Sequence, residues 1–274
     1  MATGPQTWHY GLVARWWSEF NVDGPEIEYF RRFVEEGQPA LDVGCGTGRL
    51  LLPYLRAGLD VDGCDVSADM IALCREKAAA EGLSPTLFVQ PMHELAPPRA
   101  YRTIYVCGAF GVGSDRTRDT EALRRFFDAL EPGGTLVLDN EAPYADSRQW
   151  RHWLSEERRS LPEAERAGRR RRGADGAEYE LRSRLLALEQ SATYSMHALM
   201  WSDGELVGEE EHQLQLALYF KHELVLMLER AGFGDVTVRG GYDDAEPTAD
   251  HEFLVFVAHK PARSTRQEDA RSLH

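Results

Sequence analysis

Between residues 39 and 138 short apolar runs alternate with longer amphipathic stretches. Ala40 to Val43 is an apolar run closed by glycines and predicts a strand. Arg49 to Arg56 reads as a helix, and Val61 to Val66 as a second strand ending at Asp65. Ser67 suits a helix N-cap, with Asp69 in the first turn to meet the helix dipole. Met70, Ile71, Cys74 and Ala78 then share one helix face. Thr86 to Val89 and Ile104 to Cys107 predict a third and a fourth strand. From Thr120, the positions Leu123, Phe126, Phe127 and Leu130 form a helical stripe that Pro132, Gly133 and Gly134 close, before a fifth strand at Thr135 to Leu138. Strands that alternate with helices imply a parallel sheet covered on both faces.

The pattern then changes. Arg151 to Gly176 is charged and helix-prone, and its Arg169 to Arg172 run reads as a solvated loop or helix end. Glu178 to Glu189, Ala192 to Trp201 and Glu205 to Tyr219 read as extended strands, with Asp203-Gly204 as a two-residue hairpin turn. Leu214, Leu216, Leu218 and Phe220 alternate with Gln213, Gln215, Ala217 and Tyr219, as in a half-buried strand. This predicts an antiparallel insertion at about 178–220. The α/β pattern resumes with a helix stripe at Leu224, Met227, Leu228 and Ala231, a C-cap near Gly232, and strands at Asp235 to Arg239 and Phe253 to Ala258. Residues 261–274 lack apolar periodicity and read as a flexible tail after one domain spanning 1–260.

Composition narrows the function classes. The 274 residues carry a formal net charge of −14, which argues against a nucleic-acid or anionic-membrane partner. No apolar run approaches the roughly 18–20 residues of a membrane span. The cysteines, Cys45, Cys64, Cys74 and Cys107, form no C-x-x-C pair. Four thiols and no export signal at Met1 to His9 lead to a cytoplasmic expectation.

The chemistry concentrates in Leu41-Asp42-Val43-Gly44-Cys45-Gly46-Thr47-Gly48, a strand feeding three glycines ahead of a helix. Such glycines let the backbone approach a ligand at the carboxyl end of a strand. A dinucleotide fingerprint would need a third glycine where Arg49 stands, and Arg49-Leu50 lacks the Lys-Ser/Thr pair of a phosphate-binding loop. The stretch instead resembles motif I of the class I S-adenosylmethionine-dependent methyltransferases, of the small-molecule type found in antibiotic-pathway N-methyltransferases. The resemblance extends over roughly residues 8 to 260. It implies a Rossmann-like seven-stranded sheet, mostly parallel with an antiparallel last strand, plus the β insertion. It also implies S-adenosyl-L-methionine as cofactor, released as S-adenosyl-L-homocysteine.

The resemblance assigns further residues. Asp42 lies near the cofactor's amino group, and Gly44, Cys45, Gly46 and Gly48 form the loop. Asp65, as a carboxylate with no proton of its own, accepts both ribose hydroxyls. Val66 and Met92 flank the adenine, and Cys107 and Gly108 lie beside the methionine part. Pro91 stands where the family often has an acid, which leaves Gln90 or His93 to meet the adenine amine. Tyr10, in a segment resembling a lid helix, reaches the methyl donor, and Trp17 lines the pocket. Ser114 stands where the sugar-amine N-methyltransferases carry a catalytic histidine, so their substrate is not carried over. Phe110, Asp139, Glu141, Tyr144 and Tyr242 are further pocket candidates, with Tyr10 for positioning and His251 as base. Acids at Asp139, Glu141, Asp243 and Asp244 fit a cationic amine, a divalent metal or plain surface charge, and no metal is assigned. The expected function is N- or O-methylation of a small-molecule acceptor, the oligomeric state being open. A non-catalytic S-adenosylmethionine-binding partner or sensor, and a nucleic-acid base methyltransferase, are the alternatives; the latter lacks its usual [ND]-P-P-[YF] motif after the fourth strand.

Overall fold

In the computed structural model residues 7, 9–145, 147–160, 168–188 and 190–262 are described. Residues 263–274, most of the expected tail, lie outside them. The core elements run α1 (Gly11–Phe20), α2 (Glu26–Glu36), β1 (Ala40–Val43), α3 (Leu51–Arg56), β2 (Val61–Asp65), α4 (Ala68–Ala80), β3 (Leu87–Val89), β4 (Tyr101–Val106), α5 (Arg116–Ala129) and β5 (Leu130–Glu141). After α6 (Ser147–Trp153) and α7 (Ser155–Ser160) come β6 (Arg171–Arg172), β7 (Glu178–Leu188), β8 (Ser191–Ser202) and β9 (Glu205–Ala217), then α8 (Lys221–Ala231), β10 (Gly234–Gly240) and β11 (Phe253–His259).

Seven strands form one sheet in the order β10, β11, β5, β4, β1, β2, β3, and β6 to β9 form a separate antiparallel sheet. In the large sheet β11 runs antiparallel to both neighbours, while β1, β2, β3, β4 and β5 pair in parallel. One face packs Tyr29, Phe30, Leu51, Tyr54 and Cys74 from α2, α3 and α4; the other packs Leu123, Phe126, Leu224 and Leu228 from α5 and α8. The expected fold and insertion are therefore observed.

Several boundaries differ, each for a local reason. The helix expected from Arg49 begins at Leu51, because the left-handed Gly48 keeps the chain in turns for two more residues. The helix expected from Thr120 begins at Arg116, capped by Asp115, whose carboxylate accepts the amides of Thr117 and Arg118. That first turn is polar, so it carries no apolar stripe. Pro132 to Gly134 do not end a helix: β5 already starts at Leu130, and these residues form an irregularity between the Tyr101–Leu130 and Thr103–Thr135 pairings. In the arginine run, Arg171 and Arg172 pair with β7 rather than remaining in a loop.

Helix α1 joins the two sheets. Leu12 and Val13 pack against Met196 and Ala198 of β8. At its start the Gly11 amide donates to Asp69 at 2.8 Å and the Leu12 amide to Glu210 of β9 at 2.8 Å. The orphan donors of this helix end are thus met by carboxylates from both layers.

Candidate functional site

The carboxyl ends of β1, β2, β4 and β5 open into a cavity of about 880 Å³, covered by α1 and the end of β9. Its floor is the glycine loop. Gly44 has φ +81°, and a Cβ there would meet the Ala109 Cβ at 2.5 Å, so both conformation and space demand glycine. Gly46 has φ +54° with nothing within 4 Å of a Cβ, leaving its backbone bare toward the cavity.

Asp65 braces this loop. One carboxylate oxygen accepts the Gly46 amide at 2.9 Å and the other the Ser67 amide at 2.8 Å. Burial raises its pKa, and these backbone donors oppose the rise. A carboxylate has about four lone-pair directions, so acceptor capacity is left for a diol. Val66 beside it is 43% exposed, an apolar side chain free to cover a flat ring. Met92 and His93, in a short turn after β3, line the same cavity. Gln90 also lines it, but its side-chain oxygen already accepts the Ala96 amide at 2.9 Å. His93 is therefore the better placed of the two to meet a ring amine.

At the other end of the loop, Asp42 is buried and its pKa is pushed up to about 8 by desolvation. Arg49 lines the wall, ion-paired with Glu26 of α2 and 3.7 Å from the Cys107 sulfur. Asp139, offered from sequence as a free acid, is fully engaged. It accepts the Gly108 amide at 2.5 Å, the Tyr242 hydroxyl at 2.6 Å and the Cys107 thiol at 3.3 Å. Desolvation raises its pKa against these donors. Its work is to hold Cys107, Gly108 and Tyr242 together at the cavity wall.

A second lobe lies under the insertion. Phe110, Val112, Leu216, Leu218 and Phe253 supply its apolar lining, and Ser114, Asp119, Asn140 and Glu141 its polar groups. The loop after β4 is stitched to β9: Gly113 donates to the Gln215 carbonyl at 2.7 Å, and Ala217 to that of Gly111 at 2.9 Å. Asn140 donates its amide to the carbonyls of Tyr219 and Glu141.

The remaining sequence-predicted residues divide. Tyr10 and Trp17 line the cavity; the Tyr10 hydroxyl lies 3.5 Å from the Val66 carbonyl, and the Trp17 indole N–H is buried with no partner among the described residues. His251 is not brought to the cavity lining: its ring takes the amide and hydroxyl of Thr248 and sits against Gly240. Tyr144 is likewise outside that lining and 37% exposed. Asp244 is ion-paired with Arg32 and accepts the Tyr29 hydroxyl at 3.0 Å, which holds its pKa down at about 2. Asp243 accepts the Ala245 amide. Among the described residues no group of three or more His, Cys, Asp or Glu side chains is placed to hold a metal.

Sequence reasoning missed several wall residues, His9, Glu26 and Asp119 among them. His9 has its pKa lowered to about 4 by burial, and its ring nitrogen lies 2.6 Å from the Thr7 hydroxyl. Glu26 stands at the helix-α2 start, and Asp119 in the polar first turn of α5. Only the cap residue Asp115, two positions after Gly113 in a loop glycine-rich enough to read as a turn, could have revealed the last.

Residues 40–134 match the family model described as methyltransferase domain. YqeM of Bacillus subtilis (strain 168), which is named as a methyltransferase, is 23% identical over 240 residues, covering 85% of this chain and 90% of that protein. The ubiquinone biosynthesis O-methyltransferase of Xanthomonas euvesicatoria is 29% identical over 149 residues; the match takes 49% of this chain and spans 60% of that protein's length. A Geobacillus sp. (strain WCH70) relative is spanned over 58% of its length. Among solved structures, an S-adenosylmethionine-dependent methyltransferase of Clostridium acetobutylicum has a TM-score of 0.72 at 16% identity, covering 91% of this chain and 98% of its own. The sugar N-methyltransferase KedS8 of Streptoalloteichus has a TM-score of 0.67 at 21% identity, covering 95% and 99%. Residues 40–134 therefore form a methyltransferase domain, and the strand order and glycine loop around it share the fold of S-adenosylmethionine-dependent methyltransferases.

Proposed function

We propose that the chain transfers the methyl group of S-adenosylmethionine to a nitrogen or oxygen of a small-molecule acceptor. The observation that carries this reading is the continuity of one cavity, from the Gly44–Gly48 loop with Asp65 to the apolar lobe under β9. Its volume lies in the upper part of the roughly 300–1,000 Å³ range of ligand pockets. The bare Gly46 backbone, the tight Gly44–Ala109 approach and the exposed Val66 fit an adenosyl group. In this reading Asp65 holds the ribose, Val66 and Met92 flank the adenine with His93 at its edge, and Cys107 and Gly108 line the methionine arm.

A bound sulfonium supplies an electrophilic methyl and a good leaving group. The protein's part is then to align the acceptor and exclude water. Helix α1 with Trp17 and the end of β9 close the cavity over both lobes, which serves both ends. KedS8 is a sugar N-methyltransferase and the Xanthomonas relative an O-methyltransferase, so both acceptor atoms are represented among similar proteins. The net charge of −14 supports a neutral or cationic small acceptor over a nucleic acid. Calorimetry with S-adenosylmethionine and with NAD tests the cofactor; the reading fails if the former does not bind at sub-millimolar concentration. A labelled-methyl screen over amines, phenols and acids then tests transfer.

A further inference from the structure

Asp119 stands apart among the groups of the second lobe. It lines the cavity yet is only 1% exposed. One of its oxygens accepts the Tyr219 hydroxyl at 2.5 Å, and Ser114 lies alongside the carboxylate. Tyr219 follows β9, and Arg116 spreads over its ring at 4.9 Å while its own charge is met by Glu223 of α8. The charged groups nearest to Asp119 are therefore Asp115 and Arg116 of its own helix, with Glu223 beyond Arg116. Burial raises the Asp119 pKa, and the Tyr219 donor opposes the rise.

The surroundings favour one ligand chemistry. The two guanidinium groups of the cavity wall each face a carboxylate: Arg49 is paired with Glu26, and Arg118 lies 3.7 Å from Asp115. Neither guanidinium therefore brings an unneutralised positive charge to the cavity for an anionic acceptor. Phe110, whose ring packs on that of Tyr219, lines the same cavity with Val112, Leu216 and Leu218, and these suit an alkyl or aryl body. A buried carboxylate at the end of an apolar lobe is the complement of an amine on such a body.

We propose that Asp119 is the anchor for the acceptor's amine, making an apolar primary or secondary amine the substrate class. This rests on the methyltransferase reading of the same cavity. The carboxylate that holds an ammonium is also placed to take its proton. The N–H bond breaks, an O–H bond forms on Asp119, and the nitrogen is left neutral with its lone pair free.

The test uses the full chain loaded with S-adenosylhomocysteine and calorimetric titration with benzylamine, benzyl alcohol and benzoate. Benzylamine is expected to bind at least tenfold more tightly than benzoate. Asp119→Asn keeps an oxygen for the Tyr219 hydroxyl and is expected to weaken benzylamine at least tenfold, with benzyl alcohol and S-adenosylhomocysteine changed less than twofold. Tyr219→Phe keeps the carboxylate and is expected to retain benzylamine binding. The proposal is overturned if Asp119→Asn leaves benzylamine unchanged, if Tyr219→Phe loses as much as Asp119→Asn, if benzoate binds as well as the amine, or if no benzylamine binds. Failure of S-adenosylhomocysteine itself to bind would instead overturn the underlying reading, and the proposal with it.

Discussion

Tyr242, from the connection between β10 and β11, donates its hydroxyl across the cavity wall to Asp139 at 2.6 Å, and the same carboxylate takes the amide of Gly108. Tyr242 is held for this by stacking on Phe253 and by an edge contact with Tyr29 and a tilted one with Phe30. Three separate segments therefore converge on one buried acid. Asp139→Ala leaves the Gly108 amide, the Tyr242 hydroxyl and the weaker Cys107 thiol without their acceptor, at about 1–3 kcal/mol for each of the first two. Tyr242→Phe removes one neutral donor and should cost nearer 1 kcal/mol. Urea denaturation of the two variants measures the difference, and equal stability of Asp139→Ala and the parent would contradict it.

Asp65→Ala removes an acceptor from the Gly46 and Ser67 amides as well as from a ribose. S-adenosylmethionine affinity should fall by about 1.5–3 kcal/mol, or roughly ten- to 150-fold. Calorimetry reads this directly, and an unchanged dissociation constant would remove Asp65 from the ribose site.

Two loop glycines should respond differently to alanine. Gly44→Ala meets a Cβ of Ala109 at 2.5 Å, so overpacking adds to left-handed strain, and a loss of about 2–4 kcal/mol in folding stability is expected. Gly46→Ala meets nothing within 4 Å and should lose only about 1–2 kcal/mol of stability while weakening the cofactor. Thermal melts with and without S-adenosylmethionine separate the two effects.

The pKa of Asp42 is raised from 3.8 to about 8 by burial. A carboxyl group raised in the fold contributes stability that is fully present below pH 3.8 and is lost as pH rises toward 8. Asp42→Asn removes this slope. In the absence of cofactor the variant should gain on the parent progressively between pH 4 and 8, reaching a few kcal/mol at the upper end. Denaturation curves at several pH values check the sign; a gain confined to acid pH would reverse it.

Arg116 fastens the insertion to the core, donating to the carbonyls of Leu218 at 2.9 Å and Gln190 at 3.2 Å and pairing with Glu223. Arg116→Ala should cost about 1.5–3 kcal/mol, because the carbonyl of the buried Leu218 and the Glu223 carboxylate lose a charged donor. Hydrogen exchange should rise first around residues 190 and 218, and uniform exchange across the chain would argue against a local clamp.

The glycine loop was legible because left-handed turns need glycine, and Asp65 because the family resemblance singles out an acid at the end of the second strand. The β7 to β9 ladder was legible from alternation and from Asp203-Gly204, both of which take positive φ. Of the second lobe, Phe110 and Glu141 were legible at strand ends, while Asp119 was hidden because it and its partner come from unrelated positions. Asp119 is turned inward by a helix whose first turn is polar, and its partner Tyr219 lies 100 residues away. For Asp139 the sequence offers an amine ligand, a metal ligand or surface charge, because it cannot show that Tyr242, Gly108 and Cys107 all donate to it. His251 stands outside the cavity lining, with Nδ1 of its ring taken by Thr248 only three residues away, a placement that the sequence does not reveal.

The hydrogen bonds that bind the β4–α5 loop to β9 bear on how such a protein can be re-engineered. Residues 111–113 are, in effect, a short extra rung on the edge of the small sheet, bridged by Val112 opposite Leu216. A chimaera that exchanged the insertion alone would leave this rung without its ladder, and one that exchanged the loop alone would present the wrong edge to β9. Acceptor preference is therefore grafted as a pair of segments distant in sequence, with the cofactor half of the cavity left in place.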